Sequence, residues 1–252
     1  MSLKVSFYNG VTGMLAYQEG LNRISNNVSN VSTVGYKSSK STFTDLLYTK
    51  MYVNSEGNLQ TGHGVKIAES QVIYRKGPLT QTGSNLDFAM LDDGFFAVEQ
   101  PDGSIQYTRS GAFNISMMED VGYLVSTDGD FVLDADGNRI ELTYDADGSG
   151  FDLENLSSKI GIYDVPNPFG LVPSNGSCFK ISASSGEAYS VESGTNEFGT
   201  RHYQIVDGAL EQSSVDISEE MADVIVTQKA FQLNARMVQT ADQLEEIINN
   251  LR

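Results

Sequence analysis

Phe7-Tyr-Asn-Gly-Val-Thr-Gly-Met-Leu-Ala-Tyr-Gln-Glu-Gly-Leu-Asn-Arg-Ile-Ser-Asn-Asn-Val-Ser-Asn-Val31 is the stretch whose period decides the reading of the chain. Its apolar residues fall at Phe7, Val11, Met14, Tyr17, Leu21, Ile24, Val28 and Val31, three or four positions apart throughout. That spacing lays one stripe along one face of an α-helix, close to a heptad seam. At about 1.5 Å per residue the helix spans roughly 37 Å. Thr33-Val34-Gly35 breaks the pattern, and Gly35 suits the left-handed conformation that commonly ends a helix.

The other end of the chain repeats the theme. Asp216 or Ser218 is a candidate cap, with Glu219 and Glu220 in a first turn where negative charge favours the helix dipole. Apolar residues follow at Ile217, Met221, Val224, Phe231, Ala235, Val238, Ala241, Leu244, Ile248 and Leu251, and no Gly or Pro interrupts 217–252. This helix spans roughly 50 Å. Two stripes of one type at opposite ends invite pairing as a coiled coil. Docking of both helices onto the rest of the chain is the alternative.

Between the ends the period shortens to that of strands. Leu86–Leu91, Phe95–Glu99, Ile105–Arg109, Tyr123–Val125, Phe131–Leu133 and Arg139–Thr143 alternate with Asp92-Asp-Gly, Pro101-Asp-Gly, Asp128-Gly and Asp136-Gly. Short β-rich runs joined by Asp-Gly turns read as strands. Lys159–Tyr163, Phe179–Ser182 and His202–Val206 are further candidates. The expected fold is a mainly β body, an irregular barrel or sandwich, with N- and C-terminal α-helices that pair as a coiled coil. The expected division is 1–36 with 215–252 as the helical segment, 37–75 as a linker, and 76–214 as the body.

Composition narrows the chemistry. The chain has 252 residues, 40% of them hydrophobic and 19% charged, enough apolar material for a packed core. Sixteen basic against 33 acidic residues leave a net charge of −17. Nucleic acid and anionic lipid call for basic surfaces, so no nucleic-acid partner and no membrane insertion are expected. Cys178 is the single cysteine and His63 and His202 the only histidines. A disulfide within the chain is ruled out, and no nucleophile–base motif is recognisable. Asp145-Ala-Asp147-Gly-Ser149-Gly150 has the opening of a calcium loop, but Leu156 stands where the bidentate acid belongs. No enzyme activity, metal or cofactor is expected. The N-terminus lacks a cleavable signal peptide, and no apolar run reaches the about 18 residues of a membrane helix.

Three separated stretches carry a family resemblance. Asn26-Asn27-Val-Ser-Asn30-Val-Ser-Thr-Val-Gly35-Tyr36-Lys37 resembles the N-terminal signature of flagellar rod and hook proteins, with Ser29 where Ala is usual. Asp93-Gly-Phe-Phe96 with Tyr107-Thr-Arg-Ser-Gly-Ala-Phe113 resembles the central motif of that family. Val226-Thr-Gln228-Lys-Ala-Phe-Gln-Leu-Asn234 with Gln239-Thr-Ala-Asp242 resembles its C-terminal signature. The resemblance covers residues 5–140 and 205–252; nothing in 141–204 matches a motif.

The resemblance implies a structural subunit of the bacterial flagellum. Such a subunit passes the flagellar export apparatus without a cleaved signal peptide and polymerises in the basal body with itself and other axial proteins. Val11, Met14, Leu21, Ile24, Val28, Met221, Val224, Phe231 and Val238 would then form the polymerising seams. Asn26, Asn27, Asn30, Gly35, Tyr36, Gln228, Asn234 and Gln239 carry the family motifs. Asp45-Leu-Leu-Tyr48 and Thr61-Gly-His-Gly-Val65 resemble distal-rod members. The segment between these two is shorter than theirs, which leaves proximal-rod and hook-like subunits open. A secreted β-rich adhesion or binding module, its helices part of the monomer fold, is the reading from a different class.

Overall fold

The computed structural model describes residues 2–51, 59–118, 121–143, 151, 153, 156–175, 177–191, 194–195 and 202–251. They form helices α1 (Ser2–Ser29), α2 (Leu156–Lys159) and α3 (Ile217–Asn250), a 3-10 turn at Pro168–Gly170, and many short strands. The chain is mainly β between two long terminal helices, and it divides into two compact units.

Unit one comprises Met1–Ser29, Ser39–Ile73 and Asp216–Arg252. α1 stops at Ser29, short of the expected break near Gly35. Just beyond its end, Asn30 and Thr33 bond each other: Thr33 N donates to Asn30 O at 3.2 Å and Thr33 Oγ1 to Asn30 Oδ1 at 3.1 Å. Local bonds of this kind compete with a further helical turn. α3 starts where Asp216 accepts hydrogen bonds from Ser218 N at 2.8 Å and Glu219 N at 3.3 Å. Those bonds satisfy two of the four amides a helix start leaves unpaired. In the stretch 39–73, Ser39–Asp45 pairs antiparallel with Val65–Val72, and Tyr48–Met51 with Leu59–Gly62.

Unit two comprises Asn30–Ser38 and Tyr74–Val215. Its main sheet has ten short strands, ordered Glu141–Leu142, Val121–Ser126, Phe131–Val132, Phe95–Glu99, Ile105–Thr108, Cys178–Lys180 and Val172–Pro173. Three more branch from this path: Phe113–Met118 pairs with Val121–Ser126, Ile162–Asp164 with Phe95–Glu99, and Tyr189–Val191 with Ile162–Asp164. Among the described residues nothing joins the two ends of the path, so the barrel alternative gives way to an open, branched sheet. Strands of two to six residues that change partners along their length leave no continuous ladder to close. The core is built on Phe88, Phe96, Val98, Phe113, Leu124, Val132, Leu156 and Tyr203.

The Asp-Gly turns act as punctuation. Gln100 N donates to Ser104 O, Ser126 N to Asp130 O and Asp134 N to Asn138 O, at 2.9, 2.7 and 2.8 Å, closing three hairpins. Asp92–Gly94 is instead a corner, because Phe88–Met90 pairs with Ile205–Asp207 rather than with Phe95–Glu99. Residues 159–163 also depart from expectation. Leu156 and Ile160, one helical turn apart, are both buried in the core, and α2 occupies Leu156–Lys159 before the strand begins at Ile162. The calcium-like stretch Asp145–Gly150 lies outside the described residues.

Candidate polymerisation surface

In unit one α1 and α3 lie side by side. Asn27 Nδ2 donates to Glu220 Oε1 at 2.8 Å. A Cβ on Gly20 would lie 3.6 Å from Thr227 Cγ2, and a Cβ on Gly13 2.9 Å from the Asn234 side chain. Seven residues back along α1 match seven residues forward along α3, so the helices run antiparallel in constant register. At Gly10 an added Cβ would lie 2.7 Å from Val238 Cγ2. The buried line of α1 is therefore Gly10, Gly13, Ala16, Gly20 and Asn27, small or polar residues that permit close approach.

The apolar stripe of α1 flanks that line. Val11, Met14, Leu21, Ile24 and Val28 are half-buried. On α3, Val224, Phe231 and Val238 are also half-buried, whereas Met221 is exposed. A different set on α3 is left open. Val226, Leu233 and Met237 are 66%, 61% and 55% exposed, and Leu244, Ile248 and Leu251 continue the same line. Their steps of seven, four, seven, four and three form an apolar seam. It lies roughly a third of a turn from the face that meets α1. α1 adds exposed Tyr8 and Leu15. Contiguous exposed apolar surface of this kind marks an interaction site.

The motif residues divide by role. Asn27 is buried: Oδ1 accepts from Ser39 N at 3.0 Å, and Nδ2 donates to Ser39 O at 2.9 Å as well as to Glu220. It ties the first strand to both helices. Asn234 is half-buried beside Gly13 and donates to Ala230 O at 3.0 Å. Asn26, Gln228 and Gln239 are exposed, and Asn30 sits in the turn after α1. Gly35 has φ +69, a left-handed value that favours glycine, and a Cβ there would lie 2.5 Å from Ser110 N. Tyr36, half-buried, accepts from Ser214 N through its carbonyl at 3.0 Å.

Reading the sequence for apolar period missed Gly10, Gly13 and Gly20, and passed over Val226, Leu233 and Met237. The glycines do carry a signal. Each costs about 1 kcal/mol against alanine inside a helix, and close contact with a partner helix offsets that cost.

Charge and reactivity fit a packing surface. Burial pushes the Glu220 carboxyl above its ordinary value; the Asn27 hydrogen bond opposes this, and Asp223 and Glu219 add to it. Burial pushes the Cys178 thiol up to about 11, which keeps it protonated and unreactive near neutral pH. Among the described residues no group of three His, Cys, Asp or Glu is placed to hold a metal ion. No described helix is long and apolar enough to cross a membrane.

Comparison with known proteins bears on the whole chain. Residues 7–37 match the family described as flagella basal body rod protein. Residues 89–162 match the flagellar hook protein FlgE/F/G D1 domain, and residues 206–251 the flagellar basal body rod FlgEFG protein C-terminal family. The chain is 33% identical to the flagellar basal-body rod protein FlgG of Borreliella burgdorferi, over 98% of each chain. It is 32% identical to FlgG of Bacillus subtilis, over 97% of this chain and 98% of that one. The flagellar hook-basal body complex protein FlhP of Bacillus subtilis is 28% identical, over 98% and 99%.

Proposed function

The chain belongs to the flagellar rod and hook protein family, and from that premise we propose that it polymerises into the axle of the basal body through its two terminal helices. Its role is that of a structural subunit of the flagellar rod. In this reading, export without a cleaved signal peptide delivers the chain. Coiled-coil packing of α1 and α3 against neighbouring copies and other axial proteins then holds it in place.

The observation that carries the reading is the open seam of Val226, Leu233, Met237, Leu244 and Ile248 on a helix whose other face is already taken by α1. Burying one such side chain contributes about 1.5–3 kcal/mol, so a few per subunit suffice to drive ordered addition. The polymerising residues are thereby reassigned. Val224, Phe231 and Val238 hold the subunit's own helix pair, and the line from Val226 to Ile248 meets the neighbour. Full-length similarity to proteins named FlgG favours the distal rod over the proximal-rod and hook-like alternatives.

The test introduces Val226→Asp into the chromosomal gene and images purified basal bodies. A rod that stops short, with the variant subunit still folded when purified, is the expected result. Complete rods of normal length would remove the seam from the mechanism.

A further inference from the structure

Residues 205–214 cross unit two as a strap. Ile205–Asp207 pairs with Phe88–Met90, and Ala209–Glu211 with Leu79–Gln81. Glu211 O accepts from Gly35 N at 2.8 Å, Gln212 N donates to Pro78 O at 2.9 Å, and Ser38 N donates to Ser214 Oγ at 3.0 Å. These contacts are far apart along the chain: 176 positions for Ser38 and Ser214, 134 for Gly77 and Glu211. The fit is tight, since a Cβ on Gly77 would lie 2.0 Å from Gln212 O.

The strap also carries the carboxylate that, among the described residues, forms the ion pairs of Lys37 and Arg109. Glu211 is 1% exposed. Its Oε1 accepts from Lys37 Nζ at 2.6 Å and Gly77 N at 2.9 Å, and its Oε2 accepts from Arg109 Nε at 2.9 Å. Lys37 and Arg109 are themselves buried. Their other acceptors are uncharged: Arg75 O for Lys37, and Gly94 O, Asp92 O and the Met90 Sδ for Arg109. Two buried cations thus share one carboxylate. Take it away and both buried cations lose the carboxylate they bond, and removing one partner of a buried ion pair is strongly destabilising.

We infer that residues 205–214 are a closing strap: Glu211 supplies the counter-charge under which Lys37 and Arg109 are buried, and the body completes its fold only when this late segment has joined it. A chain whose C-terminal part has not yet joined lacks the strap and stays open. That open state suits a subunit that passes the export apparatus before it folds. This consequence rests on the export reading; the strap itself does not.

The experiment uses the purified full-length chain. Pulsed hydrogen exchange during refolding, read by mass spectrometry, should show 79–81, 88–90 and 95–108 gaining protection in the same phase as 205–211. Protection of 95–108 well before 205–211 would overturn the inference. Two variants test the charge. Glu211→Gln should shift the folding equilibrium of the body at least about 100-fold toward the unfolded state. Lys37→Met added to it returns the cluster to a single net positive charge, and should recover at least about 10-fold of that loss. A double variant that is weaker than Glu211→Gln, by what Lys37→Met costs alone, would show that Glu211 acts by packing and would sink the charge role. If Glu211→Gln does not fold, a folded double variant supports the role and an unfolded one counts against it.

Discussion

Asn27 uses its whole amide in unit one, accepting from Ser39 N and donating to Ser39 O and Glu220. Replacing it by Ala leaves half-buried partners, Ser39 and Glu220, without these bonds. The expected loss is about 2–4 kcal/mol from the helix pair, since each unsatisfied buried group costs about 1–3 kcal/mol. Urea unfolding followed by helical circular dichroism measures it. Gln239, exposed on α3, serves as the control: Gln239→Ala should fall within about 0.5 kcal/mol of wild type. Glu220, the partner of Asn27, gives a pH signature. Burial raises its carboxyl above the ordinary value, so the folded state holds the proton more firmly than the unfolded state. The stability it contributes is present below the unfolded carboxylate pKa and is lost as pH rises through the folded one. Glu220→Gln should flatten the acid-side slope of helix-pair stability. Glu220 is only half-buried and solvent screens it in part, so the gain at pH 7 should stay within about 0.5 kcal/mol. A slope unchanged by the substitution would assign it to another group.

The helices α1 and α3 each have two faces, and the predictions separate them. Gly13→Leu puts a large side chain where a single Cβ is already 2.9 Å from Asn234. It should cost about 1–3 kcal/mol of overpacking, seen as a lower unfolding midpoint of unit one. On α3, Val238→Asp sits against Gly10 and should disrupt the monomer's helix pair. Leu233→Asp, on the open seam, should leave the monomer's circular dichroism unchanged and abolish assembly. If the two variants behaved alike, the division between inner and outer faces would be wrong. Much of this level was legible in the sequence. Apolar spacing of three and four located both helices; of the two candidate caps Asp216 starts α3, and three of the four Asp-Gly turns close hairpins. The faces were not legible, because the line of closest contact is glycine and asparagine rather than apolar side chains. α3 also carries two overlapping apolar lines, and spacing alone cannot say which one a partner covers. The same ambiguity hid α2, where Leu156 and Ile160 are followed directly by the apolar strand Ile162–Asp164. A single helical turn is too short for its period to show, and Ile160 reads on into the apolar strand that follows. The Lys37–Glu211–Arg109 cluster was out of reach for a different reason, since its members come from three distant segments that only the tertiary fold brings together.

At the scale of the whole molecule, charge opposes what the open seam favours. Each copy carries −17, so every subunit added to a polymer works against the repulsion of those already there. That repulsion opposes association of dilute protein, so assembly should be sensitive to salt. The screening length falls from about 10 Å at about 0.1 M salt to about 3 Å at about 1 M, while burial of Val226, Leu233 and Met237 does not depend on screening. Sedimentation of purified protein across that range should show the critical concentration for assembly falling steeply as salt rises. Ion pairs between copies would give the opposite trend, because screening weakens attraction between unlike charges as surely as repulsion between like ones. The sign of the salt dependence therefore separates a polymer held by apolar seams against a background of like charge from one held by complementary charges. Leu233→Asp sharpens the test, since a subunit without its seam should stay monomeric at every salt concentration.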